Sequence, residues 1–466
     1  MASSPSRAIA PARRCAFAVV RRVFERGAYA DLALHAEAAS LDRRDRALAM
    51  RLAYGAVQRK GTLDHLIERL AGRPVGRLDA PVLAALRLGL YELLYLSGAP
   101  DRAVVGDAVE LAKAGGGRGH GLVNAVLRRA AREGAAKLLG ELADATPEQA
   151  AVMHSHPEWI ARLWWELLGA EDARALMAYD NVAGEVALRV NTLVTDAATL
   201  ASELRDESVR THLSASLDEA IVLDGPFDAY ASPLWRTGAF VSQSRAAMLV
   251  SRALAPLPGE RVLDLCAAPG GKTTHLAALM EGRGEVLAVE ANARRADELR
   301  ESARRLRADN VNVEVGDAAR ARPEGAVFDR VLVDPPCSGL GTLQARADLR
   351  WRASPEAIEQ MAQTQRAILA AGAEALRPGG VLVYSTCTIS PTENEHAIAD
   401  FLNSHPDFGL DDLAADRSDV GSFVAAIASA TRARSASRRD GLVGTVLTLP
   451  HRDHTAGFFI ARMRRS

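Results

Sequence analysis

The stretch "RVLDLCAAPGGKTTHLAALM", residues 261–280, reads as a β-strand, a tight glycine turn and a helix. An open α/β sheet builds its ligand site in this way, beyond the carboxyl end of its first strand. Gly270 and Gly271 let the backbone approach a ligand and expose amides where the helix starts. The pattern is neither G-x-G-x-x-G nor G-x-x-x-x-G-K-[ST], so it supports neither a dinucleotide nor a triphosphate site; Lys272-Thr273 only imitates the end of a P-loop. Outward from this stretch, "EVLAVEA", "VNVEVGD", "FDRVLVD" and "GVLVYST" alternate with helical patterns between about 240 and 405. That alternation predicts a parallel sheet covered by helices, and "GTVLTLP" with "GFFIARM" predicts a closing hairpin.

Acidic residues stand at the ends of three of these strands: Glu290, Asp317 and Asp334. Glu290 follows the glycine turn by about twenty residues, where carboxylates accept hydrogen bonds from a ribose. Three carboxylates and a glycine turn suit a neutral or cationic nucleoside better than an anionic one. S-adenosylmethionine fits, having a ribose, an adenine amine, a sulfonium and no phosphate.

The chain has four cysteines, Cys15, Cys266, Cys337 and Cys387, with no C-x-x-C pair and no histidine at ligand spacing. Neither a zinc site nor a secreted disulfide framework is indicated, and reduced thiols are expected. Cys15 and Cys266 read as small buried hydrophobes. Cys337 in "DPPCSG" and Cys387 in "STCT" both fall just past the carboxyl end of a predicted parallel strand. Neighbouring strands lie about 4.8 Å apart, so adjacent strands would bring both thiols to one cleft. Downstream of Cys387, Ser390, Pro391 and Glu393 carry a capping-box pattern that predicts a helix start there. Enzymes that methylate exocyclic nitrogens place an aromatic after Asp-Pro-Pro to stack on the base; here Cys337 takes that position. A thiol does not stack, but it adds to carbon. The chemistry that needs it is methylation at C5 of a pyrimidine, where thiolate addition at C6 makes C5 nucleophilic. A carboxyl near N3, with Asp334 the candidate, would stabilise charge pushed onto the ring, and the base must first be unstacked.

Upstream, "ARRCAFAVVRRVFE", "RRDRALAMRLAYGAVQRKGTLDHLIERL" and "APVLAALRLGLYELLYL" predict an all-α bundle. Residues 1–140 carry 23 basic and 13 acidic residues, +10, whereas the remainder carries 34 and 45, −11, for a net charge of −1. A basic module fused to an acidic one points to a polyanionic partner for the first. The glycine-rich loop in "AKAGGGRGHGLVNAVLRRAAR" leads into a helix with Arg128, Arg129 and Arg132, candidates for phosphate contacts. Residues 141–240 predict a small α/β subdomain in which Trp159, Trp164 and Trp165 pack one helix face. "RSDVGSFVAAIASATRARSASRRDG", 417–441, reads as a surface excursion without chemistry. No apolar run approaches the roughly 20 residues of a membrane span, and the first residues lack a signal-peptide core, so a cytoplasmic protein is expected.

Two resemblances add to this reading. Residues 12–132, with "GLVNAVLRR", resemble the NusB-type RNA-binding helical domain. "LDLCAAPGGKT", "VDPPCSGLGTL", "STCT" with "ENE", and "GFFIARM" resemble the RNA cytosine-5 methyltransferase family; with the NusB-like front they resemble its bacterial Sun/Fmu type, which acts on 16S ribosomal RNA. The resemblance implies three parts: a NusB-like helical domain (1–140), a small α/β subdomain (141–240) and a Rossmann-like methyltransferase domain (241–466). It implies that Cys387 is the nucleophile and Cys337 assists product release. It also implies that Cys266, Ala267, Ala268, Pro269, Gly270, Gly271, Lys272, Glu290, Asp317 and Asp334 lie at the S-adenosylmethionine site. RNA, either 16S rRNA or a small-subunit assembly intermediate, is the implied partner, with neither metal nor membrane. Two positions depart from the family pattern: Ser244 stands where an acidic residue usually follows Gln243, and Gln344-Ala345 replaces a basic pair. Arg346 and Arg350 remain candidate RNA contacts, while Trp351 reads as packing. An aminomethylating enzyme is disfavoured by the two cysteines. The alternative of another class is an RNA-binding assembly factor with a vestigial catalytic domain.

Overall fold

The computed structural model describes residues 9–225, 227–320, 327–413, 415 and 442–466; the Ser/Ala/Arg-rich stretch at 417–441 lies outside the described residues. The chain forms two compact units, Met1–Ala183 with Leu343–Arg352, and Gly184–Thr342 with Ala353–Ser466. Residues 141–183 are helices belonging to the first unit, whereas 184–240 belong to the second.

The first unit holds α1 (Pro11–Arg26), α2 (Ala30–Glu37), α3 (Arg43–Gln58), α4 (Lys60–Ala71), α5 (Ala80–Tyr95), α6 (Asp101–Ala114), α7 (His120–Glu133), α8 (Ala135–Gly140), α9 (Pro147–Met153), α10 (Glu158–Leu168) and α11 (Ala170–Tyr179). The helical stretch 43–70 is divided at Arg59, which ends α3 and begins α4. Helix α5 buries Val82, Ala85, Leu86, Leu88 and Leu90, almost all round, as a central helix must. Gly55 on α3 permits that packing, because a Cβ there would overlap the Tyr91 ring at 1.9 Å. Of the three tryptophans, Trp164 is wholly buried and Trp159 and Trp165 are half-buried, in keeping with a packed face.

The segment Leu343–Arg352 threads into this helical unit. Trp351 donates its indole N–H to Val57 O at 2.7 Å. Arg350, expected as an RNA contact, is 0 % exposed and donates to Ser155 O, Asn181 Oδ1 and Asp180 O. A guanidinium enclosed among carbonyls cannot reach a phosphate, so Arg350 is a structural residue here. Gln344 likewise donates to Tyr179 O at 2.7 Å.

The second unit opens with β1 (Ala187–Val190), α12 (Ala197–Asp206), β2 (Thr211–Leu213), β3 (Ala220–Leu223), α13 (Pro233–Arg236) and β4 (Phe240–Ser242). The four strands make an antiparallel sheet ordered β2-β3-β1-β4. Leu188, Val190, Leu200, Leu204, Ile221 and Phe240 form its core. Next come α14 (Arg245–Leu254), β5 (Arg261–Leu265), α15 (Gly271–Leu279), β6 (Glu285–Glu290), α16 (Ala293–Arg305), β7 (Val311–Val315), β8 (Phe328–Val333), α17 (Pro355–Ala375), β9 (Leu376–Thr386), α18 (Glu395–Ser404), β10 (Phe408–Leu410), β11 (Val446–Leu447) and β12 (Phe459–Arg465).

The large sheet runs β10-β12-β9-β8-β5-β6-β7, with β11 paired to β12. Strands β5 to β9 are mutually parallel, and β12 lies antiparallel to β9. All five predicted parallel strands and the closing hairpin are present. Strand β5 is buried from Val262 to Leu265, as expected where helices cover both faces. It also sits where the strand order reverses, with β6 on one side and β8 on the other. Such a switch point opens a crevice beyond the carboxyl ends of the strands.

Candidate active site

The crevice at the end of β5 begins with Cys266, held at φ +65°, and turns through Gly270 at φ +99° into α15. Gly270 is required on two counts: its φ lies in the left-handed region, and a Cβ would strike Leu299 Cδ1 at 2.1 Å. Beneath the turn, Thr273 Oγ1 donates to Asp264 Oδ2 at 2.7 Å. Burial pushes the Asp264 carboxyl up to about 7. Burial, with Asp334, Asp264 and Glu290 around it, pushes the Cys266 thiol up to about 12, so it stays protonated as expected of a packing cysteine.

Glu290 ends β6, is buried, accepts the Asn292 N–H at 2.9 Å and pairs with Arg295 at 3.3 Å. Asp317 follows β7, is exposed, and accepts the Ala319 N–H at 3.0 Å. The carboxyl ends of β6 and β7 therefore each present an acidic side chain, Glu290 and Asp317. Gln243, after β4, was not singled out in the sequence. Its amide is buried against Gly271, 3.8–3.9 Å from where that glycine's Cβ would stand, and both polar atoms lack a hydrogen-bond partner. A buried amide without partners is a costly arrangement unless a ligand or water completes it. The glycine turn, the strand-end carboxylates and this orphaned amide together fit a nucleoside with a polar tail.

Cys337 and Cys387 follow β8 and β9, which are paired in parallel, and their Sγ atoms lie 3.3 Å apart. A disulfide would require about 2.05 Å, so these are two thiols in contact. The hydrogen bond with Cys387, followed by burial, raises the Cys337 thiol well above its ordinary value. Either sulfur can donate in this contact, and the raised value of Cys337 favours its protonated form. Lys272 donates to Asp334 Oδ2 at 2.8 Å. Burial works against its charge, but the attraction of Asp334 and of Cys387 outweighs burial and raises its pKa. An ammonium held beside Cys387 favours the thiolate over the thiol. Lys272, expected at the cofactor, is paired to Asp334, the residue that follows β8 ahead of Cys337.

The two thiol loops are locked together by residues downstream. Glu393 accepts hydrogen bonds from Ser338 N at 2.8 Å, from Ser338 Oγ, and from Gln365 Nε2 at 3.0 Å. Tyr384 donates to Glu393 O at 2.7 Å. Asn394 receives the Thr386 hydroxyl and donates to Thr388 O at 3.0 Å, bracketing Cys387. Gly341 N donates to Cys387 O at 3.0 Å. The expected capping box is overturned: α18 starts at Glu395 rather than Pro391, and the Glu393 side chain turns inward to Ser338. The signal was present in "ENE", but a carboxylate three residues past a serine reads locally as a cap, and its partner lies 55 residues away.

Ser244 caps α14 by accepting the Ala247 N–H at 3.3 Å. Aspartate and serine are comparable N-caps, so this departure from the family pattern preserves the local function. Arg128, Arg129 and Arg132 are exposed on α7, with Arg129 paired to Glu133 at 2.8 Å. Arg346 is exposed, its guanidinium 5.8 Å from the Tyr29 ring centroid. Among the described residues no cluster of three His, Cys, Asp or Glu side chains could hold a metal, and no helix is long and apolar enough to cross a membrane.

Comparison with known proteins gives three family matches along the chain: the NusB family over 10–132, the RsmF/B-like ferredoxin-like domain over 156–230, and the 16S rRNA methyltransferase RsmB/F family over 251–464. A protein of Synechocystis named "Probable ribosomal RNA small subunit methyltransferase B" is 35 % identical over 463 residues, 98 % of this chain and 99 % of that one. Ribosomal RNA small subunit methyltransferase B of Vibrio cholerae is 33 % identical, covering 85 % and 90 %. The solved structure of PH0851 superposes with a TM-score of 0.78 at 28 % identity, over 99 % of this chain and 100 % of that one. Near full-length similarity and the order of the matched domains show that the chain belongs to the RsmB/F family of 16S rRNA methyltransferases.

Proposed function

We propose that this enzyme methylates C5 of a cytosine in 16S rRNA through a covalent adduct between Cys387 and C6 of the base. The observation that carries the reading is the Cys337–Cys387 contact at the ends of β8 and β9, with Lys272 paired to Asp334 at the same strand ends. S-adenosylmethionine, when bound, supplies the methyl group as an electrophile. Glu290 would hold the ribose, Asp317 and Asp334 the neighbouring polar edges, and the 266–272 turn the rest of the cofactor. Cys387 adds to C6 as a thiolate and leaves C5 nucleophilic, with the Lys272 ammonium attracting its charge. As negative charge develops at N3 the nitrogen takes up a proton, and Asp334, positioned by Lys272, accepts a hydrogen bond from the resulting N3–H. After methyl transfer a base removes the C5 proton, the C6–S bond breaks, and Cys387 leaves as thiolate with Cys337 beside it to assist elimination.

The charge asymmetry of the chain and the exposed arginines Arg128, Arg129, Arg132 and Arg346 support RNA as the substrate. The reading predicts transfer of labelled methyl from S-adenosylmethionine to 16S rRNA, recovered as 5-methylcytosine after digestion. Label recovered on an exocyclic nitrogen, or bound cofactor with no transfer to free rRNA or assembly intermediates, contradicts it.

A further inference from the structure

Within the helical unit, α2, α3 and the inserted segment 343–352 enclose a cavity of about 190 Å³. Ligand pockets for drug-sized molecules run to roughly 300–1,000 Å³, so this one fits a single small ring system. Asp31, Tyr54, Gln58, Gln344, Arg346 and Asp348 supply its polar lining. Asp348 is 5 % exposed, and its Oδ2 has no hydrogen-bond partner. Burial, ahead of any other effect, raises the Asp348 carboxyl. Tyr54 is pushed up to about 12 by burial and by the nearby Asp31 and Asp348. The Nε2 groups of Gln58 and Gln344 are both spent on backbone carbonyls, at 2.8 and 2.7 Å, which leaves their Oε1 atoms as acceptors. The cavity therefore offers free acceptors in Asp348 Oδ2 and the two glutamine Oε1 atoms, and a buried carboxylate oxygen without a donor is destabilising until one arrives.

Beside this lining stands an aromatic and cationic platform. Tyr29 is 40 % exposed, with Arg352 at 4.0 Å and Arg346 at 5.8 Å from its ring centroid. Both arginines are exposed, and Arg352 is steadied by donating to Gly27 O at 2.6 Å. Exposed aromatic faces and guanidinium groups are what single-stranded RNA uses for stacking and phosphate contacts. A flat ring whose edge carries adjacent N–H donors would complete the cavity. Among the four bases, guanine presents two such donors together, N1–H and the N2 amine, and a carboxylate accepts both.

We propose that this cavity is a base-selective RNA subsite that takes one unstacked guanine of the substrate through its N1–H and N2–H edge on Asp348, with Arg346 on the adjoining phosphate. The proposal deepens the reading of the protein as an RNA-modifying enzyme and rests on it for the class of ligand. Arg346 then acts without sequence preference, whereas Asp348 confers it.

The test is equilibrium binding of the full-length protein to three fluorescent decamers: oligouridylate, the same with one central guanosine, and the same with one inosine, which lacks the N2 amine. Guanosine should tighten binding about ten-fold over uridine, with inosine between them. Asp348→Asn, which keeps shape but offers a donor to a donor edge, should abolish the difference and leave oligouridylate affinity unchanged. Arg346→Ala should weaken all three decamers alike and keep the difference. Equal affinity for the three decamers, or discrimination that survives in Asp348→Asn, overturns the subsite. Loss of methyl transfer to rRNA with discrimination intact would count against the proposed reaction and leave the subsite standing.

Discussion

Cys337 Sγ and Cys387 Sγ stand 3.3 Å apart at the carboxyl ends of two adjacent parallel strands. The contact places the raised Cys337 thiol against the sulfur of Cys387, with Lys272 paired to Asp334 at the same strand ends. It also places both within little more than an ångström of disulfide distance. Hydrogen peroxide should therefore join them, the two thiols giving up two electrons and two protons as peroxide is reduced to water. Thiol titration of the denatured protein should fall from the four cysteines of the chain to two. Methyl transfer should disappear in parallel and return with dithiothreitol. Retention of all four thiols after inactivation would show that oxidation strikes elsewhere.

Glu393 fixes the Cys337 loop through Ser338 and Gln365. Removing a buried carboxylate with three donors leaves those donors unsatisfied, a loss of about 3 kcal/mol or more. Glu393→Ala should lower kcat on the order of 100-fold with little change in KM for RNA, because the thiols lose register while the RNA-binding surface is untouched. Glu393→Gln keeps the shape, and the Ser338 hydroxyl can rotate to accept, so it should recover most of the rate. Equal damage by both variants would argue that charge, not position, is what Glu393 supplies.

Asp264 gives stability a pH dependence of known sign. Its carboxyl rises from the ordinary value to about 7 because it is buried under the glycine turn. Between the unfolded and folded values the native state binds more protons than the unfolded state, so this residue's contribution falls as pH rises from about 4 to 7. Asp264→Asn retains an acceptor for Thr273 and carries no charge to desolvate. It should raise stability at pH 8 by about 1–3 kcal/mol and change it little at pH 4, as read by urea denaturation at both values. A variant no more stable at pH 8 than at pH 4, relative to wild type, would contradict the burial argument.

Much of the catalytic unit was legible in the sequence because its signals are local. A strand, a glycine turn and a helix sit within twenty residues, and the period of the apolar positions separates strands from helices. Cys337 and Cys387 could be paired because parallel strands place their following loops at one edge. What escaped depends on contacts distant in sequence. Glu393 bonds to Ser338 across 55 residues, and Arg350 bonds to Asp180 across 170, so a local reading made the first a helix cap and the second an RNA contact. The packing of α9 to α11 with the first unit is unreadable for the same reason, since only contacts distant in sequence assign a helix to its neighbours. Ser244 shows the reverse case, a residue that differed from the family pattern yet caps its helix as aspartate would.

The account rests on Cys387 as the nucleophile and Cys337 as the thiol that frees the product. Incubation of each cysteine variant with substrate rRNA and S-adenosylmethionine, followed by denaturing gel electrophoresis, tests this most directly. Cys337→Ala should accumulate a protein–RNA band that survives denaturation, whereas Cys387→Ala should give no band and no methylation. A covalent band formed by Cys387→Ala and absent from Cys337→Ala would contradict the assignment and exchange the two roles.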